Sequence, residues 1–147
     1  MNTADYMRIA IDEAKKSGED LPIGCVIVKN GEIIATVHNE KESTNDPTAH
    51  AEMLCIKKAS EMLGSRLLGC EMYVTLEPCP MCMWAIIESR IEKLFFGAYD
   101  TLYGGETVLN LKELANSKIE IKSGILEEEC SALVKNYFAK LRNKNEK

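Results

Sequence analysis

Two short segments constrain this chain more than anything else in it: His50-Ala51-Glu52, and Pro78-Cys79-Pro80-Met81-Cys82 further on. Together they read His-x-Glu and Pro-Cys-x-x-Cys. One imidazole and two thiolates suit tetrahedral zinc, and three protein ligands leave the fourth position open for water. A structural zinc site closes that position with a fourth ligand. A free carboxylate beside the metal, here Glu52, can carry a proton between water and a leaving group. Any fold this chain adopts must bring the two segments together.

The local sequence says how. Asp46-Pro47 predicts a helix start, with Asp46 as N-cap and Pro47 at the first helical position. Cys79-Pro80 repeats the device, which puts Cys79 at an N-cap and Cys82 in the first turn. The partial positive charge of a helix N-terminus favours the thiolates that zinc needs. His50 and Glu52 are two residues apart, and in mid-helix they would point to different sides. They converge on one metal only if the helix begins at that point.

A chain of 147 residues with 46% hydrophobic content fits one domain spanning 1–147. No apolar run reaches membrane-spanning length, and Met1 to Asp5 contains no basic region leading into an apolar segment. Six cysteines are present, and only Cys79 and Cys82 have ligand spacing. The other four are scattered singly in apolar surroundings, the pattern of reduced cysteine in a cytoplasmic protein. A net charge of −5 argues against a nucleic-acid binder. The stretch Lys135 to Lys147, however, has five basic residues against one acid. It reads either as the solvated end of a C-terminal helix or as a phosphate-contacting segment.

In order, Asp5–Lys16 is an amphipathic helix, closed by Ser17-Gly18-Glu19-Asp20. Gly24–Val28 and Ile33–Val37 are strands, and Asn30-Gly31 between them predicts an antiparallel hairpin. His38–Thr48 is a loop, and Asp46–Leu63 the first metal-bearing helix. Glu71–Leu76 is a strand, Pro80–Ser89 the second metal-bearing helix, and Lys93–Gly97 the next strand. A helix between two strands implies a right-handed crossover and a parallel pair. Met81, Trp84, Ala85, Ile86 and Ile87 are expected to be mostly core. Asp100–Gly105 is a loop, Val108–Ala115 a short helix, Ile119–Lys122 a last strand. Leu126–Leu141 is a final helix with Cys130, Leu133, Val134, Tyr137, Phe138 and Leu141 on one stripe. The fold class is α/β: a mixed sheet of about five strands with helices on both faces.

Outside the zinc motif the signals are plainer. His38, the only other histidine, reads as a surface or packing residue. Asn39, in the loop after a strand, serves either turn chemistry or hydrogen bonding to a base edge. Asp100 reads as a turn residue.

These residues resemble the cytidine and deoxycytidylate deaminase superfamily and, within it, the bacterial tRNA adenosine deaminases. His-x-Glu with Pro-Cys-x-x-Cys is the signature of zinc-dependent nucleobase deaminases. The likeness runs from Leu21-Pro22-Ile23-Gly24 almost to the C-terminus. It takes in His38-Asn39, Asn45-Asp46-Pro47-Thr48-Ala49-His50-Ala51-Glu52 and Val74-Thr75-Leu76-Glu77-Pro78-Cys79-Pro80-Met81-Cys82. Ser89-Arg90-Ile91, Phe96-Gly97-Ala98 with Asp100, and Gly124-Ile125-Leu126 continue it.

The resemblance implies a three-layer α-β-α cytidine deaminase-like fold with a five-stranded mixed sheet. It implies zinc held by His50, Cys79 and Cys82, and Glu52 as the proton shuttle. Asn39 would contact the base, with Asp100 in the matching Gly-Ala-x-Asp segment. Tyr137 and Phe138, with Arg142, look like the aromatic pair and basic residue that such enzymes place near flanking nucleotides. Members are typically homodimers that convert the wobble adenosine of a tRNA anticodon stem-loop to inosine. The sequence departs from the pattern at Asp100-Thr101-Leu102-Tyr103-Gly104-Gly105-Glu106, which has no basic residue where the family usually has a Lys-bearing segment. A small-molecule nucleobase or nucleoside is therefore the second substrate class. A zinc-stabilised binding protein without chemistry is the third reading, and Glu52 speaks against it.

Overall fold

The computed structural model describes residues 1–145. Glu146 and Lys147, part of the basic C-terminal segment, lie outside the described residues. Helix α1 (Thr3–Ala14) opens with a capping box between Asn2 and Asp5 and runs into a 3-10 turn at Lys15–Ser17. Strands β1 (Gly24–Lys29) and β2 (Glu32–His38) form the hairpin. Asn30 and Gly31 both take positive φ, as a two-residue turn of this hand requires. Then come α2 (Ala51–Leu63), β3 (Cys70–Leu76), α3 (Pro80–Glu88), β4 (Lys93–Ala98), α4 (Leu111–Leu114), β5 (Glu120–Lys122) and α5 (Glu127–Asn145).

The sheet order is β2-β1-β3-β4-β5. β1 is antiparallel to β2 and β3, whereas β3, β4 and β5 run parallel. Alternation along the strands sends side chains to two cores. On one face Cys25, Ile27, Met72, Val74, Leu94 and Phe96 meet Ala51, Cys55 and Ala59 of α2 and Met83 and Ile86 of α3. On the other Val26, Val28, Tyr73 and Phe95 meet Tyr6, Met7 and Ala10 of α1 and Cys130 of α5. Tyr73 and Phe95, paired across the parallel strands, stack with ring centroids 4.5 Å apart. The architecture is three-layered, α-β-α, with a five-stranded mixed sheet.

Four expectations need correction. The helix expected to follow Asp46 starts only at Ala51. Asp46 Oδ1 instead accepts from the backbone N–H and the hydroxyl of Thr48, at 2.8 and 2.7 Å, and so caps a turn. Trp84 is 47% exposed, because α3 turns its Cys82, Met83, Ile86 face to the sheet and Trp84 lies half a turn away. α4 is shorter than expected, since Asn110 takes the left-handed conformation, φ 51° and ψ 51°, and the helix begins only after it. On α5 only Cys130 of the apolar stripe is buried, and Phe138 and Leu141 are exposed. His38 is a packing residue, its Nδ1 lying 2.8 Å from Glu13 Oε1.

Candidate active site

The late start of α2 is what assembles the site. His50 is the N-cap of α2, with φ −69° and ψ 149°, extended rather than helical. Its ring therefore does not follow the helical spiral that sets Glu52. Cys79 is likewise the N-cap of α3, with Pro80 at the first helical position and Cys82 in the first turn. His50 Nδ1 lies 3.6 Å from Cys79 Sγ and 3.5 Å from Cys82 Sγ. All three donor atoms fall within 4.8 Å of one another. Tetrahedral zinc with ordinary bond lengths to sulfur and nitrogen would separate such donors by about 3.5 Å. The trio therefore fits zinc in donor type, number and spacing.

Electrostatics point the same way. The Cys79 thiol is pulled down to about 4, first by its hydrogen bond with Cys82 and then by His50, against the effect of burial. Cys82 is pushed far up by the same partnership and by burial. The first proton leaves easily, and a cation must displace the second. Glu52 is 3% exposed, and its Oε1 has no hydrogen-bond partner among the described residues. Burial raises its carboxyl to about 7. A buried carboxylate oxygen without a partner is costly unless water, a ligand or an ion meets it.

A cavity of about 270 Å³ opens beside His50, walled by Leu21, Ile23, Asn39, Tyr137, Phe138 and Leu141 among others. Asn39 is buried there. Its Nδ2 donates to Leu21 O at 3.2 Å and its Oδ1 accepts from Lys41 N–H at 3.1 Å, so the amide is fixed at the wall. Tyr137 donates its hydroxyl to Glu19 O and meets Phe138 edge-to-face at 5.3 Å. Asp100 does not line this cavity. Its Oδ1 accepts from the N–H groups of Leu102 and Tyr103, a turn-capping role.

Two buried acids escape a reading of the sequence. Asp20 accepts from the N–H groups of Glu42 and Ser43 and so fastens the loop that leads to His50. Glu77 grips the loop after β4. Only for Glu77 is there a signal, an acid wedged between an apolar strand and Pro78-Cys79.

A family profile, the zinc-binding region of cytidine and deoxycytidylate deaminases, matches residues 1–98. The chain belongs to this deaminase family. The deaminase is 50% identical over 145 residues to a tRNA-specific adenosine deaminase of Bacillus subtilis (strain 168), spanning 95% of this chain and 90% of that protein. It is 46% identical over 144 residues to one of Aquifex aeolicus (strain VF5), spanning 94% and 95%. A structure solved in a study of A-to-I editing by tRNA:A34 deaminases at the wobble position superposes with a TM-score of 0.84. It is 39% identical and covers 88% of this chain and 98% of that one. A deaminase with the zinc-binding region is a hydrolytic enzyme, and zinc is its metal.

Proposed function

We propose that this deaminase converts the wobble adenosine of a tRNA anticodon to inosine, releasing ammonia. The chemistry rests on one observation: the unpartnered Glu52 Oε1, buried beside a three-donor zinc set. A zinc-stabilised binding protein has no use for that atom.

His50, Cys79 and Cys82 would hold the metal. Bound there, zinc acts as a Lewis acid that lowers the pKa of water toward ~7. Glu52 accepts a proton from the attacking water and delivers it to the purine ring nitrogen beside the carbon under attack. It then helps protonate the amino group as that leaves. Burial, which lifts Glu52 towards neutrality, suits a group that must both take and give a proton. Asn39, held by Leu21 and Lys41, presents its remaining hydrogen-bonding capacity to the base edge. Tyr137 and the exposed Phe138 stand at the cavity mouth, where unstacked neighbouring bases would lie on them. Asp100 shapes the loop after β4. Relatives at 46–50% identity bear the tRNA-specific name, which supports the substrate.

The reading includes a cytoplasmic homodimer. Six free cysteines fit a reducing compartment. No helix among the described residues is long and apolar enough to cross a membrane. Trp84, Leu102 and Tyr103 are exposed on α3 and the loop packed against it, apolar surface that a second copy would cover.

A free nucleobase or nucleoside is the second reading, favoured by the acidic loop Asp100–Glu106 and the net charge of −5. An ammonia-release screen over free bases, nucleosides and an anticodon stem-loop separates the two. Inosine in the stem-loop is expected. Efficient turnover of a free base with no inosine in RNA would overturn the tRNA reading.

A further inference from the structure

Glu77 is a buried carboxylate with no cationic partner among the described residues. Four donors compensate it. Oε1 accepts from Asp100 N–H at 3.1 Å and from the Thr107 hydroxyl at 2.6 Å. Oε2 accepts from Glu106 N–H at 3.1 Å and from Thr107 N–H at 2.6 Å. All four belong to the loop between β4 and α4. The same loop reaches back to the metal-bearing turn: Gly105 N–H donates to Pro78 O at 2.8 Å, one residue before Cys79. Glu77 N–H donates to Ala98 O at 2.8 Å, which closes the ring of contacts.

The fit is close. A Cβ on Gly104 would lie 2.5 Å from both Glu77 Oε2 and Asp100 O. One on Gly105 would lie 2.6 Å from Met83 Cβ and 3.1 Å from Pro78 O. β3 and β4 are parallel, so their carboxyl ends stand side by side, where ligands of such sheets bind.

We propose that Glu77 is a positioning residue for the zinc site: its carboxylate clamps the loop at 99–109 onto the Glu77–Pro78 segment and thereby fixes Cys79. The clamp explains how a loop without basic residues, Asp100–Glu106, contributes to the enzyme: it braces a metal ligand. The inference rests on the zinc site and is independent of which substrate is deaminated.

Glutamine is nearly isosteric with glutamate but cannot replace it. Its NH2 must face either two backbone N–H groups or the Asp100 N–H, and two donors do not bond. In the zinc-loaded full-length chain, Glu77→Gln is expected to release zinc to a chromogenic chelator about tenfold faster, as removal of a group supporting a metal ligand usually does. The amides of Asp100, Glu106 and Thr107 should exchange with deuterium faster, with α2 and the central strands unchanged. Gly104→Ala pushes the loop off the carboxylate while leaving Glu77 in place, and should accelerate zinc release in the same way. If Glu77→Gln does not fold, Gly104→Ala decides. Wild-type zinc release in Gly104→Ala, or wild-type release and amide protection in a folded Glu77→Gln, overturns the proposal. Neither readout depends on turnover, so a wrong substrate would leave both intact.

Discussion

His50 Nδ1 stands 3.6 Å from Cys79 Sγ, and each residue is the N-cap of its own helix. Two helix N-termini therefore face one point. Their partial positive charges favour thiolate at Cys79 and Cys82, and a zinc ion held there would outweigh the repulsion between two thiolates.

Metal content follows directly. The purified enzyme should carry about one zinc per chain, and Cys79→Ser or Cys82→Ser should each strip it. Atomic absorption on the folded variants is the check. Full zinc retention in both would sink the ligand assignment.

Binding of RNA should depend on the end of α5. Its C-terminal half carries Tyr137 and Phe138 beside Lys140, Arg142 and Lys144, and beyond Cys130 none of its residues is fully buried. Ending the chain after Leu141 should cost little stability yet weaken stem-loop binding. The salt dependence should flatten by roughly 0.7–0.9 in log–log slope for each phosphate that α5 no longer neutralises. Turnover of a free nucleoside should not change. An unaltered salt slope would remove α5 from the RNA path.

Acid stability should carry the mark of Glu13. Burial raises its carboxyl, but hydrogen bonds from His38 and Lys16 outweigh burial and hold it below the ordinary 4.5. Glu40 also faces His38, at 3.8 Å. A depressed carboxylate stabilises the fold above its unfolded pKa, and that stability is lost as pH falls through the folded value. Glu13→Gln should therefore cost about 1–2 kcal/mol at pH 7. The gap from wild type should close as pH drops below 4.5. Thermal unfolding of both proteins, followed from pH 7 down to well below the depressed folded value, measures it. A gap that persists once Glu13 is protonated in the folded protein would assign the cost to packing rather than charge.

Strand positions were legible because alternation and the Asn30-Gly31 turn are local signals. The grouping of His50, Cys79 and Cys82 was legible because ligand chemistry restricts residue type and spacing. The start of α2 was not: Asp46-Pro47 suits a helix cap and a turn equally, and Thr48 decided for the turn. Trp84 looked like core because of its residue type, whereas the helix phase set by Met83 and Ile86 turned it outward. The cavity walls Leu21 and Ile23, and the clamps Asp20 and Glu77, depend on segments that meet only in the fold.

The central claim is tested most directly by inosine formation in an anticodon stem-loop, comparing the wild type with Glu52→Gln at equal zinc content. With Glu52 as the proton carrier, the variant should keep about one zinc per chain and its fold while losing a factor of at least ~100 in turnover. Turnover within a few-fold of wild type, zinc retained, would contradict it.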